Sequence, residues 1–423
     1  MGSAEYMEEF WIKKWHSLCT YVGTLIKWVL VGALIGCVGG IVGSLFHLGV
    51  GAATELRLHH GWVLYLMPLA GLAIVAIYKV TDTEGKGTNA IIESVHFGRN
   101  VPAALVPVIF VSTVLTHLVG GSAGREGAAL QIGGGIGHQA GKLLRMGEKD
   151  MPLATLCGMS GVFAALFGTP LTATVFALEV ISVGVLYYAG LVPCLTASLM
   201  GYLVSRLMGI APTRFAVAMP ELDVVTMLRV MALAITCAFV SILFVRGLHH
   251  TERAAETYLT NPWIRVVVGS AVLIGLSLLT GGSYNGAGME VIEAAMAGRA
   301  DVLAWVWKLL FTAITIGVGF KGGEVVPSFF VGATFGCVAG SLLGLPASFG
   351  AALGLVAVFC GAVNCPLASI LLSVELFGGV GLSFFAMTCA ISYLLSGYCG
   401  LYSSQTILYS KLRAEFINMH TTE

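Results

Sequence analysis

The sequence predicts an all-α polytopic membrane protein made of two halves of roughly 200 residues, with several broken and tilted helices. Three observations carry this prediction. Only 10% of the 423 residues are charged and 57% are hydrophobic, whereas a soluble domain carries about 25% charged residues. Apolar runs long enough to cross a bilayer, about 20 residues of helix, recur along the whole chain. Finally, three distinct short motifs occur twice, in the same order, roughly 200 residues apart.

Composition also narrows the function. Mean hydropathy is +0.90. Lys and Arg total 22 and Asp and Glu total 22, so no basic excess exists to neutralise a nucleic-acid backbone. The ten cysteines lie mostly inside apolar runs with no C-x-x-C pair. They read as small buried hydrophobes, not as a metal site or disulfide framework.

The elements follow in chain order. Residues 1–24 carry Glu8, Glu9, Lys13 and Lys14 ahead of the first long apolar run. They lack the basic start and short apolar core of a cleavable signal and read as an interfacial helix, centred on 5–20. Residues 25–210 form a first transmembrane repeat, 211–224 a linker, 225–410 a second repeat and 411–423 a short tail. Clear spans are expected at 26–53, 62–80, 101–120, 182–208, 226–248, 264–280, 302–320 and 380–400. The Gly-rich stretches 126–144, 152–180, 324–345 and 349–377 read as tilted, broken or half-spanning helices. Polar breaks fall at 81–100, 145–151, 209–224, 249–263 and 281–301. The 55 glycines suit close helix approach in lipid.

The duplication rests on anchors in register. Gly85-Lys86-Gly87 leading to Gly98-Arg99 matches Gly286-Ala287-Gly288 leading to Gly298-Arg299. Gly124-Arg125-Glu126 and Gly322-Gly323-Glu324 each open an apolar helix. Pro170 is followed by Glu179 as Pro366 is by Glu375. Duplicated, discontinuous helices place a binding site where broken ends meet near mid-membrane. Helix N-termini there present free N–H groups and the positive dipole end to an anion. The two Gly-rich starts at 124–127 and 322–325 therefore favour an anion transporter or channel.

The motifs carry a resemblance. Gly121-Ser122-Ala123-Gly124-Arg125-Glu126-Gly127, followed by Gln131-Ile132-Gly133, resembles the G-R-E-G-P signature of the CLC anion channels and antiporters. Gly323-Glu324-Val325-Val326-Pro327 occupies the place of that family's G-x-F-x-P signature, and Leu401-Tyr402-Ser403 is similar to its inner-gate tyrosine segment. The resemblance implies inverted repeats and a homodimer with one ion path per subunit. It implies that Glu126 is the external gating glutamate. The amides of Gly127, Glu324 and Val325, with the Tyr402 hydroxyl, would hold the anion.

Departures from the pattern refine the resemblance. Gly85-Lys86-Gly87-Thr88-Asn89 lacks the central Ser or Pro of the chloride- or nitrate-selective members. Ala128 replaces a proline. Val180 stands where chloride antiporters carry an internal proton glutamate, and Glu324 replaces an apolar residue. Together these resemble the CLC-F fluoride/proton antiporters. Fluoride is small and strongly hydrated, so it needs strong donors or an acid that shares a proton with it. That subgroup is also thought to use electropositive ring edges, for which Phe330 is the candidate. Phe329 is its neighbour, so only one of the two is expected to face a path.

The implied function is export of fluoride from the cytoplasm in exchange for protons, in a bacterial inner membrane, with membrane lipids as surroundings. Neither cofactor nor metal nor enzymatic activity is expected. A chloride/proton antiporter or an anion channel is the alternative within the family. A remote alternative is a rhomboid-like intramembrane serine protease, from Gly158-Met159-Ser160-Gly161 with His117 or His138. Blander readings pair Glu126 with Arg125 and Glu324 with Lys321. Glu179 and Glu375 read as structural caps, Lys86 as either snorkelling or tuning the path, and Tyr409 as the competitor of Tyr402.

Overall fold

The computed structural model describes residues 3–422; residues 1, 2 and 423, which close the two expected terminal segments, lie outside it. The first half contains α1 (Ser3–His59), α2 (Met67–Val80), α3 (Thr88–Phe97), α4 (Leu105–Leu118), α5 (Glu126–Leu143), α6 (Met151–Phe167), α7 (Pro170–Glu179) and α8 (Leu191–Leu207). The second repeats the series with α9 (Val224–Tyr258), α10 (Pro262–Leu279), α11 (Met289–Met296), α12 (Ala304–Gly317), α13 (Val325–Leu342), α14 (Ala347–Val363), α15 (Pro366–Phe377) and α16 (Leu382–Leu395). The duplication shows in the lengths. Helices α4 and α12 have 14 residues each, α5 and α13 have 18, and α6 and α14 have 17.

The halves are inverted. The C-terminal end of α5 leads to Asp150, which pairs with Lys27 in the first part of α1. The C-terminal end of α13 leads to Gly344, whose carbonyl accepts from Arg229 near the start of α9 at 3.0 Å. Each half thus returns its broken helix to its own long helix, midway along α1 and near the start of α9, while α5 and α13 diverge from a shared origin.

Long and short helices have separate causes. Among the described residues, six helical segments are long and apolar enough to cross a membrane. The stretch 152–180 breaks as expected. Gly168 takes a left-handed φ of +70° to close α6, and Pro170 sits in the first turn of α7. The equivalent break uses Asn364 at φ +57° and Pro366. A left-handed residue ends a helix, and a proline in the first turn costs no hydrogen bond there. Asn364 is steadied by donating to the Cys399 carbonyl at 2.9 Å. Asp223 caps α9, accepting from the Val225 and Thr226 amides and the Thr226 hydroxyl. Those bonds, the hydroxyl first, hold its carboxyl below the usual range.

Four expectations differ from the structure. The break near residue 24 is absent: α1 runs 57 residues unbroken, because no proline or capping turn stops it between Lys14 and the apolar run. The polar stretches 81–100 and 281–301 each contain a short helix, α3 and α11. Both are amphipathic and bury Ile91 and Ile92, or Ile292 and Ala295, a pattern that a search for 20-residue apolar runs misses. The span expected from 182 begins only at Leu191, since Ser182–Val183 forms a strand, β1. The tail is folded, not merely short. Thr406–Tyr409 (β2) pairs parallel with β1, and Phe416–His420 (β3) pairs antiparallel with β2. Gln405 then bonds the Val180 and Val363 carbonyls at 2.9 and 3.0 Å, tying the tail to both halves.

Helix packing depends on missing side chains. A Cβ at Gly133 of α5 would stand 2.3 Å from the Gly158 carbonyl of α6, and one at Gly332 of α13 would stand 2.2 Å from the Gly354 carbonyl of α14. Backbones therefore touch directly at equivalent places in the two halves.

The halves also cap each other. Glu375, at the end of α15, accepts from the Leu171 and Thr172 amides of α7 at 3.0 and 2.8 Å and from the Thr172 hydroxyl at 2.6 Å. Glu179, at the end of α7, accepts from the Leu367 and Ala368 amides of α15 at 3.1 and 2.8 Å. This is the structural capping that the sequence reading expects of the pair. Each carboxylate satisfies first-turn N–H groups that have no partner within their own helix. Replacing Glu179 with Ala is expected to destabilise the folded protein by about 2 kcal/mol, read as a lowered unfolding temperature in detergent.

Candidate functional site

The centre of the fold is a two-residue backbone bridge. The Gly124 amide donates to the Gly323 carbonyl at 2.6 Å, and the Gly323 amide donates back at 2.7 Å. Side chains flank the bridge symmetrically. The Ser122 amide donates to Thr315 Oγ1 of α12 at 3.1 Å, and the Lys321 amide donates to Thr116 Oγ1 of α4 at 3.2 Å. Just beyond the bridge, α5 and α13 begin. Their N-terminal dipole ends and free amides thus point at one small region in the middle of the protein.

Two carboxylates flank this region. Glu126 is wholly buried. Its Oε2 accepts from the Arg125 amide at 2.9 Å, while Oε1 lies 3.4 Å from Arg125 Nε with no hydrogen bond of its own. The carboxylate thus sits beside the start of its own helix. The Arg125 contact anticipated by the blander reading exists, through Oε1, but as an ion pair without a hydrogen bond. Glu324 is half-buried, and its shielded Oε2 has no hydrogen-bond partner. A Cβ built on Gly127 would stand 3.1 Å from that oxygen, so the Glu324 carboxylate reaches across to the start of α5. Among the described residues Lys321 forms no ion pair with Glu324; its Nζ lies 5.0 Å above the Tyr78 ring.

The two acids open onto different cavities. An outer cavity of about 430 Å³ is walled by Glu55, Arg57, His117, Arg125, Glu126 and Glu290, among others. An inner cavity of about 220 Å³ is walled by Lys86, Thr88, Gln131, Glu252, Glu324 and Tyr402, among others. Each acid thus stands at the start of one of the two facing helices and also walls a cavity of its own.

Other sequence candidates fall into place around the bridge. Tyr402 is buried, lines the inner cavity and leaves its hydroxyl unpartnered. Its backbone is held by Thr421, whose hydroxyl donates to the Tyr402 carbonyl at 2.7 Å. Tyr409 is exposed on β2 with its ring edge-on to Phe416, away from either cavity. Gly127 lies in the first turn of α5, and Val325 opens α13. Phe330 lines neither cavity. It packs beneath Gly288 and Tyr284, and the buried Lys308 ammonium lies 5.1 Å over its ring. The apolar face of α13 turns it sideways into the core. Lys86 stands in the inner wall and donates to the Asp82 carbonyl at 2.8 Å, closing its own turn. Ser160 is buried and donates to the Cys194 carbonyl at 2.9 Å, so no nucleophile faces a cavity there.

The sequence reading missed Glu252 and Gln131 in the inner wall and Arg57 and Glu290 in the outer one. Glu252 and Glu290 lie in stretches read as polar breaks, Gln131 in a half-spanning stretch where it reads only as part of the motif, and Arg57 in the last turn of α1 between two expected spans. The available signal was a polar side chain at the end of an apolar run.

Residues 69–397 match the family model described as voltage gated chloride channel. A chloride/fluoride channel protein of Pseudomonas syringae pv. tomato is 34% identical over 398 residues, covering 92% of this chain and 88% of that protein. An H(+)/Cl(-) exchange transporter of Vibrio vulnificus is 25% identical over 400 residues, covering 85% and 84%. Among solved structures, a CLC-type fluoride/proton antiporter superposes with a TM-score of 0.88 at 31% identity, covering 90% of this chain and 98% of that one. A slow cyanobacterial Cl-/H+ antiporter, at 17% identity, has the same fold with a TM-score of 0.76, covering 87% and 94%.

The bridge generates a direct test. A Cβ at Gly323 would stand 2.3 Å from the Gly127 amide nitrogen, and backbone cannot yield as a side chain does. Gly323→Ala is expected to cost about 2 kcal/mol or more. Gly275→Ala, where nothing lies within 4 Å, should be neutral or slightly stabilising. Thermal unfolding of the two purified variants beside wild type checks the contrast.

Proposed function

The chain belongs to the voltage gated chloride channel family, and from that premise we propose that it exports fluoride from the cytoplasm in exchange for protons. It is an integral membrane transporter; we place it in a bacterial inner membrane, as a homodimer with one ion path per subunit. Each chain holds a complete pair of cavities, which supports one path per subunit.

The observation that carries the reading is the pair of acids on either side of the Gly124–Gly323 bridge. A carboxylate beside helix-end amides is the natural competitor of an anion for the same donors. When ionised, Glu126 fills that place and the path is shut. Protonation removes its charge, frees the donors and loads a proton for transport. Fluoride takes the vacated donors from the inner side, where the Tyr402 hydroxyl adds one more. The buried amides are fixed in direction, so they replace the ion's water without reorganising.

Glu324 serves the inner half of the proton path. Val180 cannot accept a proton on its side chain, and its carbonyl is bonded to Gln405. Glu324 has a free oxygen, borders the inner cavity and reaches the start of α5. It is the acid best situated to hand a proton between the bridge and the cytoplasmic side.

Proteoliposome flux tests the reading. Fluoride efflux should exceed chloride efflux by at least about tenfold, a difference of ~1.4 kcal/mol, with proton uptake following fluoride. Equal rates for the two ions would leave a general anion transporter instead. In the same assay folded Glu324→Gln should lose most of its fluoride transport and its proton coupling, while Lys321→Ala should retain both. If Lys321→Ala is impaired as severely as Glu324→Gln, mainly through lost stability, an ion pair is the better account of both residues.

A further inference from the structure

Glu126 alternates between a charged and a neutral form in the reading above, and the two forms need opposite partners. At the start of α5 the available groups are N–H donors, which suit a carboxylate. A protonated carboxyl carries an O–H that needs an acceptor, and a ring of donors offers none. Once neutral, the side chain must find an acceptor in the space it opens onto, the outer cavity.

One buried group there is free to accept. His117 is the penultimate residue of α4 and is fully buried. Its Nδ1 lies 2.9 Å from the Thr113 carbonyl. A carbonyl only accepts, so Nδ1 carries the hydrogen. In neutral imidazole the other nitrogen is then an acceptor. That Nε2 is shielded from solvent, has no partner, and belongs to a residue in the wall shared with Glu126. A buried polar atom without a partner costs free energy, and here the missing partner is a donor. The charged groups that face the ring are Arg57 and Glu55 from α1, Arg125 and Glu126 at the start of α5, Glu290 from α11 and Lys308 from α12. Two of the cations are engaged elsewhere: Arg125 with Glu126, and Lys308 with the Tyr284 and Gly286 carbonyls at 3.2 and 2.6 Å. Arg57 Nε is buried without a hydrogen-bond partner, and neither it nor His117 Nε2 is satisfied by the other.

We propose that His117 Nε2 is the acceptor that receives the O–H of protonated Glu126 in the outer cavity. It is a positioning residue. The proton stays on the carboxyl in an O–H···N bond until it leaves for water or returns inward, and no covalent bond other than that O–H is made or broken. The bond would stabilise the open form of the outer mouth selectively, because ionised Glu126 has no hydrogen to offer. This inference rests on the gating role assigned to Glu126.

Two substitutions separate this role from a structural one. Gln places a carbonyl oxygen near the position of Nε2, whereas Asn retains a group near Nδ1 that can bond Thr113 and leaves the Nε2 position empty. In proteoliposomes, His117→Asn is expected to slow fluoride/proton exchange by about tenfold and to shift its dependence on external pH. His117→Gln should stay within about threefold of wild type with the pH profile kept. If the Thr113 bond is what matters, the order reverses. Asn transporting as fast as Gln, or Gln slowed as much as Asn, overturns the proposal. Should Asn fail to yield folded protein, a folded but slow Gln variant overturns it alone. Glu126→Gln runs beside them. Proton coupling that survives in Glu126→Gln defeats the gating role itself, whereas lost coupling there with equal rates for the two His117 variants defeats His117 only.

Discussion

Everything at the centre of this protein depends on two backbone hydrogen bonds between Gly124 and Gly323. They hold the starts of α5 and α13 nose to nose, so two helix dipoles present their positive ends to one place. In water such an arrangement would be dissipated by solvent. Within a membrane-spanning core it must be answered by charge, and Glu126 and Glu324 answer it from the two sides. No residue larger than glycine fits at the crossing. Hence the motif that reads as an anion site in the sequence is first of all a condition for the two halves to meet.

From that crossing the remaining architecture follows by accommodation. Because α5 and α13 start in the interior, each leans on a partner, α6 or α14, through direct glycine contact. Those partners must themselves stop short, which they do at Gly168 and Asn364. The short helices α7 and α15 that follow would begin with bare amides in a dry environment, and the two glutamates cover them. The loop before α5 is then pinned by Thr315, and the one before α13 by Thr116.

Much of this was legible in the sequence because it is written twice. The repeated Gly-x-Glu and Pro-to-Glu spacings marked the breaks, the crossing acids and the caps, since only those positions demand particular residues. What was not legible involves contacts between segments far apart in sequence. Nothing in Phe330 itself says that Gly288 and Lys308 will cover it. Nothing in residues 406–420 announces a strand partner at Ser182, because strand pairing is decided by geometry set elsewhere. The helices α3 and α11 escaped because, at 10 and 8 residues, they are far shorter than a spanning run. In the sequence His117 stands out only as a possible protease partner; its place in a cavity wall with Glu126, Arg57 and Glu290 depends on the fold.

The exchanged caps at Glu179 and Glu375 have a consequence for how the chain is made. When the first half has left the ribosome and entered the bilayer, the leading turn of α7 has no cover, because its cap lies near residue 375 and has not been synthesised. The first half is therefore held as an unfinished partner through the whole translation of the second. Its maturation is a joint event: the two halves lock in one step, each supplying the other's missing end, and the order of insertion differs from the order of folding.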